Sequence, residues 1–239
     1  MKRSDIFFAL FLSAIFTPFF VSDGLYSFYK TFNHTYPFLI SFIKFAILAT
    51  LGELLGLRIR HGKYFEHGFG IIPRAMVWGF LGISIKMAFI IFGEGAPRML
   101  EVMGFQFPVD PPSEILKQNF FNSFSGLQLL SAFAVSFTMN VFFAPIFMTF
   151  HKITDTHILA NGGSWKCLFK PIPFGKILHE MNWKVQWNFV IMKTIPFFWI
   201  PAQTINFILP PEVRILVAAL LGIVLGVILS VASIKSRED

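Results

Sequence analysis

The chain has 239 residues, of which 55% are hydrophobic, 18% aromatic and only 14% charged, with a mean hydropathy of +0.65. Soluble domains carry about 25% charged residues, so this composition excludes a soluble single-domain enzyme, a disordered chain and a basic nucleic-acid module. It points instead to a polytopic membrane protein. The formal charge of +7 rests on Lys and Arg spread between apolar runs rather than gathered with base-stacking aromatics, so no nucleic-acid partner is expected.

Met1-Lys2-Arg3 followed by the apolar run Ile6 to Phe16 has the outline of a signal peptide. No small-x-small cleavage site follows, because Thr17-Pro18-Phe19-Phe20 continues the run, and an uncleaved span over 6–22 is the reading. Further apolar runs near the crossing length of about 20 residues cover 37–57, 71–92, 124–149, 185–209 and 213–234. The expectation is one all-α transmembrane domain over 1–239, a bundle of about six spans. Two longer connections are read as loops, 93–123 and 150–184.

Charge orients this bundle, since Lys and Arg accumulate on the cytoplasm-facing side. With the N-terminus inside, the outer loops hold only Lys30, Arg98 and Lys117, against twelve inner cations from Lys2 to Arg237, Arg60 and Lys152 among them. Both termini are therefore expected on the cytoplasm-equivalent side. Gly52-x-x-x-Gly56 and Gly222-x-x-x-Gly226-x-x-x-Ser230 place small residues on one helix face, as close-packed membrane helices do. Pro145, Pro196 and Pro201 break or kink their spans and free carbonyls for polar neighbours such as Asn140, Gln203 and Asn206.

A charge inside a span is expensive and marks a functional hypothesis. Glu53 and Arg74 lie at matching depths near the inner ends of the second and third spans, and a buried ion pair between them is expected. Lys44 falls on the opposite helix face from Glu53, nine residues away at 100° per residue. Lys86 sits near the outer surface of the third span and Lys193 near mid-membrane in the fifth. Either these lysines snorkel and pair, or Lys44, Lys86 and Lys193 line a wet path favouring small anionic solutes. The six His residues all fall outside the spans, read as surface groups, and make no metal-binding spacing. Gly162-Gly163 lacks the context of a phosphate loop. The single Cys167 excludes an internal disulfide and is read as an inert thiol. No catalytic constellation stands out, so neither an enzyme nor a cofactor is expected.

Five elements in order then carry a resemblance. Tyr29, Pro37 and Gly52-Glu53 resemble the Y-x7-P-x14-G-[DE] opening of the family of the 22-kilodalton peroxisomal membrane protein, which also contains Mpv-seventeen of the mitochondrial inner membrane. Arg74 and Gly82 resemble its R-x7-G, and Phe143-Ala144-Pro145 its F-A-P. Trp199, Gln203, Asn206-Phe207, Pro210 and Arg214 resemble its terminal W-P-x2-Q-x2-N-F-x3-P-x3-R. Met139-Asn140 replaces the family Asp-Gln pair, Pro201 stands one place late, the Asn-Phe to Pro distance is one residue short, and an extra span precedes Tyr29. The family-like region is 29–234, and the departures suit a distant relative, bacterial members included. The resemblance implies a small helical integral membrane protein, usually of four spans, some members of which are regarded as pores. The resulting expectation is a passive, weakly anion-preferring pore in a bacterial plasma membrane or an organelle inner membrane, as a homo-oligomer or alone. Glu53-Arg74 would be its inner clamp, and Gln203, Asn206 and Arg214 a polar network. The rivals are a non-conducting assembly protein and a secondary transporter.

Overall fold

The computed structural model describes residues 3–118 and 125–238, and side-chain surroundings at these positions other than 15, 16, 19, 20 and 229–238. Lys2 and Phe124, the expected start of the fourth span, lie outside the described residues, as do the side chains of Ser230, Lys235 and Arg237. Contacts divide the chain into two compact units, 1–40 and 41–239. The sequence reads as one domain, and the division falls inside its family-like region.

In the first unit, α1 (Arg3–Val21) covers the expected first span and packs on α2 (Asp23–Thr35). Residues 23–35 form no apolar run, yet they are helical for two local reasons. The Ser22 hydroxyl caps α2 by accepting from the Leu25 amide at 3.2 Å. Leu25, Phe28, Tyr29 and Phe32 then recur at i, i+3, i+4 and i+7, one face of a helix.

The second unit contains α3 (Pro37–His61) from Ser41 onward, α4 (Ile71–Val102), α5 (Gly126–Phe142), α6 (Ala144–Ala160), α7 (Phe174–Glu180) and α8 (Trp183–Val185). A π-helix (Gln186–Trp199), α9 (Ile200–Ile208) and α10 (Pro211–Glu238) complete it, with 3₁₀ turns at Pro112–Lys117 and Trp165–Phe169. Among the described residues there is no strand, so the fold is all-α. Three helices are long and apolar enough to cross a bilayer, namely α3, α4 and Pro211–Ile228 of α10, and α5 with α6 makes a fourth if the bent pair is one span. This is the make-up of a membrane protein. Large apolar side chains stay exposed on these helices, including Phe80, Ile91, Phe142 and Ile146, and a contiguous apolar surface of that kind marks contact with lipid or protein.

Three boundaries differ from the sequence reading. The helix of the third expected span, α4, runs ten residues past its expected end at 92 and carries Pro97 buried inside it, a residue that ordinarily breaks or kinks a helix. At Phe143 the fourth apolar run breaks by 47°, with Pro145 opening α6 where its missing N–H is harmless. Beyond it, 150–160 is not loop but the second half of α6. The fifth run is divided between α8, the π-helix and α9 instead of forming one α-helix.

Two glycine contacts set the spacing of the helices. A Cβ on Gly82 would come within 2.6 Å of the Phe45 Cβ and 2.7 Å of the Ser41 carbonyl oxygen, so α3 and α4 touch through the place a side chain would fill. Gly82→Ala is expected to destabilise the protein by about 1–3 kcal/mol, the usual effect of overpacking, read as a lower melting temperature in detergent. Gly222→Ala should leave it unchanged, because a Cβ there meets nothing within 4 Å among the described residues. The two small-residue motifs thus differ: Gly52 abuts Ile223 of α10, whereas Gly222 faces open space. Gly163, at φ +68°, allows the 161–164 turn to lie backbone to backbone on Gly68–Gly70, where its Cβ would approach the Gly70 nitrogen to 2.6 Å. That contact is what Gly162-Gly163 does locally.

Candidate functional site

Arg74, one turn into α4 and 7% exposed, is the centre of a buried charge network. Its Nη1 donates to Glu53 Oε2 of α3 at 2.5 Å, its Nη2 pairs with Asp155 of α6, and its Nε donates to the Phe69 carbonyl at 2.7 Å. The guanidinium also lies 4.4 Å from the Phe69 ring centre. Glu53 Oε1 accepts from Trp78 Nε1 at 2.8 Å and faces His151 Nε2 at 3.3 Å, while the Trp78 and His151 rings sit 4.4 Å apart. Arg74 and Trp78 are four residues apart on α4, and His151 and Asp155 four apart on α6. Each helix therefore turns one face to Glu53.

His151 is accordingly no surface histidine, and neither is His157, which is buried with Nε2 3.0 Å from the Cys167 carbonyl oxygen. Cys167 is itself buried, and burial pushes its thiol above the ordinary range. The expectation that all six histidines lie on the surface fails because 150–160 is helix packed against the bundle.

At the other end of the second unit, Asn206 Nδ2 donates to Gln203 Oε1 at 2.9 Å and to the Arg214 carbonyl at 3.1 Å. Arg214 Nε donates to the Leu209 carbonyl at 2.8 Å, and its Nη2 donates to the Leu116 carbonyl at 2.5 Å, which ties the start of α10 to the Pro112–Lys117 turn. Ile115 and Leu116 of that turn are buried, and Gln128 Nε2 holds its end by donating to the Gln118 carbonyl at 2.8 Å. Phe207, fully buried beneath the Arg214 guanidinium, packs on Phe89 with ring centres 4.8 Å apart.

Between these networks lies a partly open cavity of about 430 Å³ lined by α3, α4, α5, α6, the π-helix, α9 and α10. On α3 its wall runs from Phe45 through Ala49, Gly52, Glu53 and Gly56 to Arg60, and on α10 it includes Ala218, Ala219, Gly222 and Gly226. The π-helix contributes Gln186, Val190, Thr194 and Trp199, spaced at four, four and five residues, the repeat of one face of an i→i+5 helix. A second cavity of about 560 Å³, more polar, is lined by His61, Glu66, His67, Arg74 and Asp155, and the two share Glu53, Arg60, His151 and Lys152. Glu66, at its rim, takes Lys63 at 3.2 Å and His61 at 2.8 Å, and these partners hold its carboxyl below the usual range.

The lysines singled out by sequence are elsewhere. Lys44 is buried in α3, Lys86 is half-buried in α4, and the charges of this pair act on one another. Lys193 is exposed, with its ammonium 5.8 Å from the Phe189 ring centre. None of the three lines either cavity. The cations common to both cavities are Arg60 and Lys152, which sequence reasoning counts only as inner-loop charges. Among the described residues no cluster of His, Cys, Asp or Glu could hold a metal ion. Compared with family models, curated proteins and solved structures, the chain matches none, and the likeness to the peroxisomal membrane protein family stands on its quoted residues alone.

Proposed function

We propose that this is an integral membrane protein that passively admits small solutes into the cavity between its helices, entered past Arg60 and Lys152. One observation carries this reading: the 430 Å³ space inside the bundle meets the polar 560 Å³ space at four shared residues, two of them cationic. Among the described residues, neither Arg60 nor Lys152 has a carboxylate within ion-pair distance, while the entrance's own acids are paired elsewhere, Glu53 and Asp155 with Arg74 and Glu66 with Lys63 and His61, so the entrance favours anions. In this reading the positive groups lie at the mouth rather than along a lysine wall. The inner position of Arg60 and Lys152 follows the charge-based orientation, with both termini cytoplasm-equivalent and α1 and the 183–208 segment counted as spans to make six. The likeness at Arg74, Gly82, Gln203, Asn206 and Arg214 supports a pore of the same general kind.

The test is solute flux through liposomes containing the full chain. Iodide and chloride should cross faster than in protein-free liposomes, Gly222→Phe should return the rate to background by filling the shaft, and Arg60→Glu with Lys152→Glu should invert the preference toward cations. Protein-containing liposomes no leakier than empty ones would overturn the proposal in favour of an assembly protein, for which the Arg74 network would serve as a clamp alone.

A further inference from the structure

Resting on the reading of the bundle cavity as a solute compartment, we infer that its occupant is a single-chain anionic amphiphile, with an acyl chain in the shaft and a carboxylate or phosphate head between Arg60 and Lys152. The dimensions come first. The α3 stripe from Phe45 to Arg60 spans fifteen steps, about 22 Å at 1.5 Å per residue, whereas one lipid chain fills half of a hydrocarbon core about 30 Å thick. The 430 Å³ of the cavity far exceed the roughly 10–15 Å³ that a single water needs, which leaves room for an extended acyl chain.

The walls select the same class. Phe45, Ile85, Phe89, Met139, Met148 and Leu225 line the shaft, and a hydrated ion gains nothing from such surfaces, whereas burying a methylene is worth about 0.8 kcal/mol. Polar residues cluster toward the ends, with Glu53 and Thr194 between them. At the mouth stand Arg60 and Lys152. Three acidic groups line the same cavities, Glu53, Asp155 and Glu66, and each is already engaged: Glu53 by Arg74, Trp78 and His151, Asp155 by Arg74, and Glu66 by Lys63 and His61. Gln186, 5% exposed, begins the π-helix stripe of the cavity wall, and among the described residues its buried Nε2 donor has no partner. An anionic head supplies the acceptor that this donor lacks. Trp199 Nε1, at the far end of the stripe, is a second buried donor without a partner among the described residues, and Asn140 and Gln203 also line the wall.

The experiment uses the full chain in nanodiscs with three photoreactive diazirine probes of equal chain length: a hexadecanoate, a lysophosphatidate and an uncharged hexadecanol. Saturable labelling of cavity residues by an anionic probe is expected, at least tenfold above the alcohol and displaced by unlabelled hexadecanoate. The stronger of the two anionic probes tells a free fatty acid from a lysolipid. Arg60→Glu with Lys152→Glu and, separately, Gly222→Phe should each reduce labelling at least tenfold, one through the head and the other through the chain. Gly222→Leu serves the same purpose with less bulk. Equal labelling by the alcohol, or labelling that survives both variants, overturns the inference. Liposome flux without labelling leaves the solute pathway standing and removes the amphiphile, while labelling without flux does the reverse.

Discussion

Replacing Arg74 with leucine is expected to destabilise the protein by about 3–5 kcal/mol, the range for removing one partner of a buried ion pair. Arg74 meets two carboxylates and a carbonyl at once, so its loss strands Glu53 and Asp155 together. The junction of α3, α4 and α6 loosens in consequence, held then by the contacts of Glu53 with Trp78 and His151 without the guanidinium that joins all three. A melting temperature about 10 °C lower in detergent is the expected reading. Glu53→Gln and Asp155→Asn added to Arg74→Leu should restore part of the loss, since two uncompensated charges then disappear. Arg74→Lys should fall between, because an ammonium lacks the planar fork that reaches both acids. An Arg74→Leu protein that melts with the wild type would show that the network does not hold these helices.

Arg214→Gln should act on permeability. Arg214 fastens the Pro112–Lys117 turn to α10 through the Leu116 carbonyl, and it covers Phe207, whose ring packs on the cavity residue Phe89. Hydrogen bonds to a charged group are worth about 1.5–3 kcal/mol each. Loss of one such bond favours release of the turn from α10 by a factor of roughly ten or more, at 1.4 kcal/mol per decade, and loosens the packing of Phe207 on the cavity residue Phe89. Flux through liposomes containing the Arg214→Gln protein should rise accordingly. Lower or unchanged flux at wild-type stability would place the barrier elsewhere.

Much of the helical layout is legible in the sequence, because apolar length and bilayer thickness constrain each other. The depth match of Glu53 and Arg74 is legible for the same reason: both count from the ends of apolar runs. Asp155 and His151 are not, since 150–160 carries enough polar residues to read as loop, and only the continuation of α6 puts them on one face. The tail of α4 is hidden by Pro97, which a local rule treats as a stop. Gly222 and Gly226 are visible as small residues but not as the wall of a void, because sequence spacing tells which face a residue occupies and not what stands opposite. Lys193 shows the converse. A charge in an apolar run suggests a lumen, while the winding of its helix places it on an exposed surface.

That winding has a further consequence. Gln186 and Trp199 share one wall only because the helix between them is underwound. Thirteen steps at the ordinary 100° would carry the indole about 220° round the axis, from the lumen to the rim of the bundle. The bore of this protein and the pitch of a single segment are thus one variable, and tightening the coil by itself would withdraw an aromatic ring from the passage.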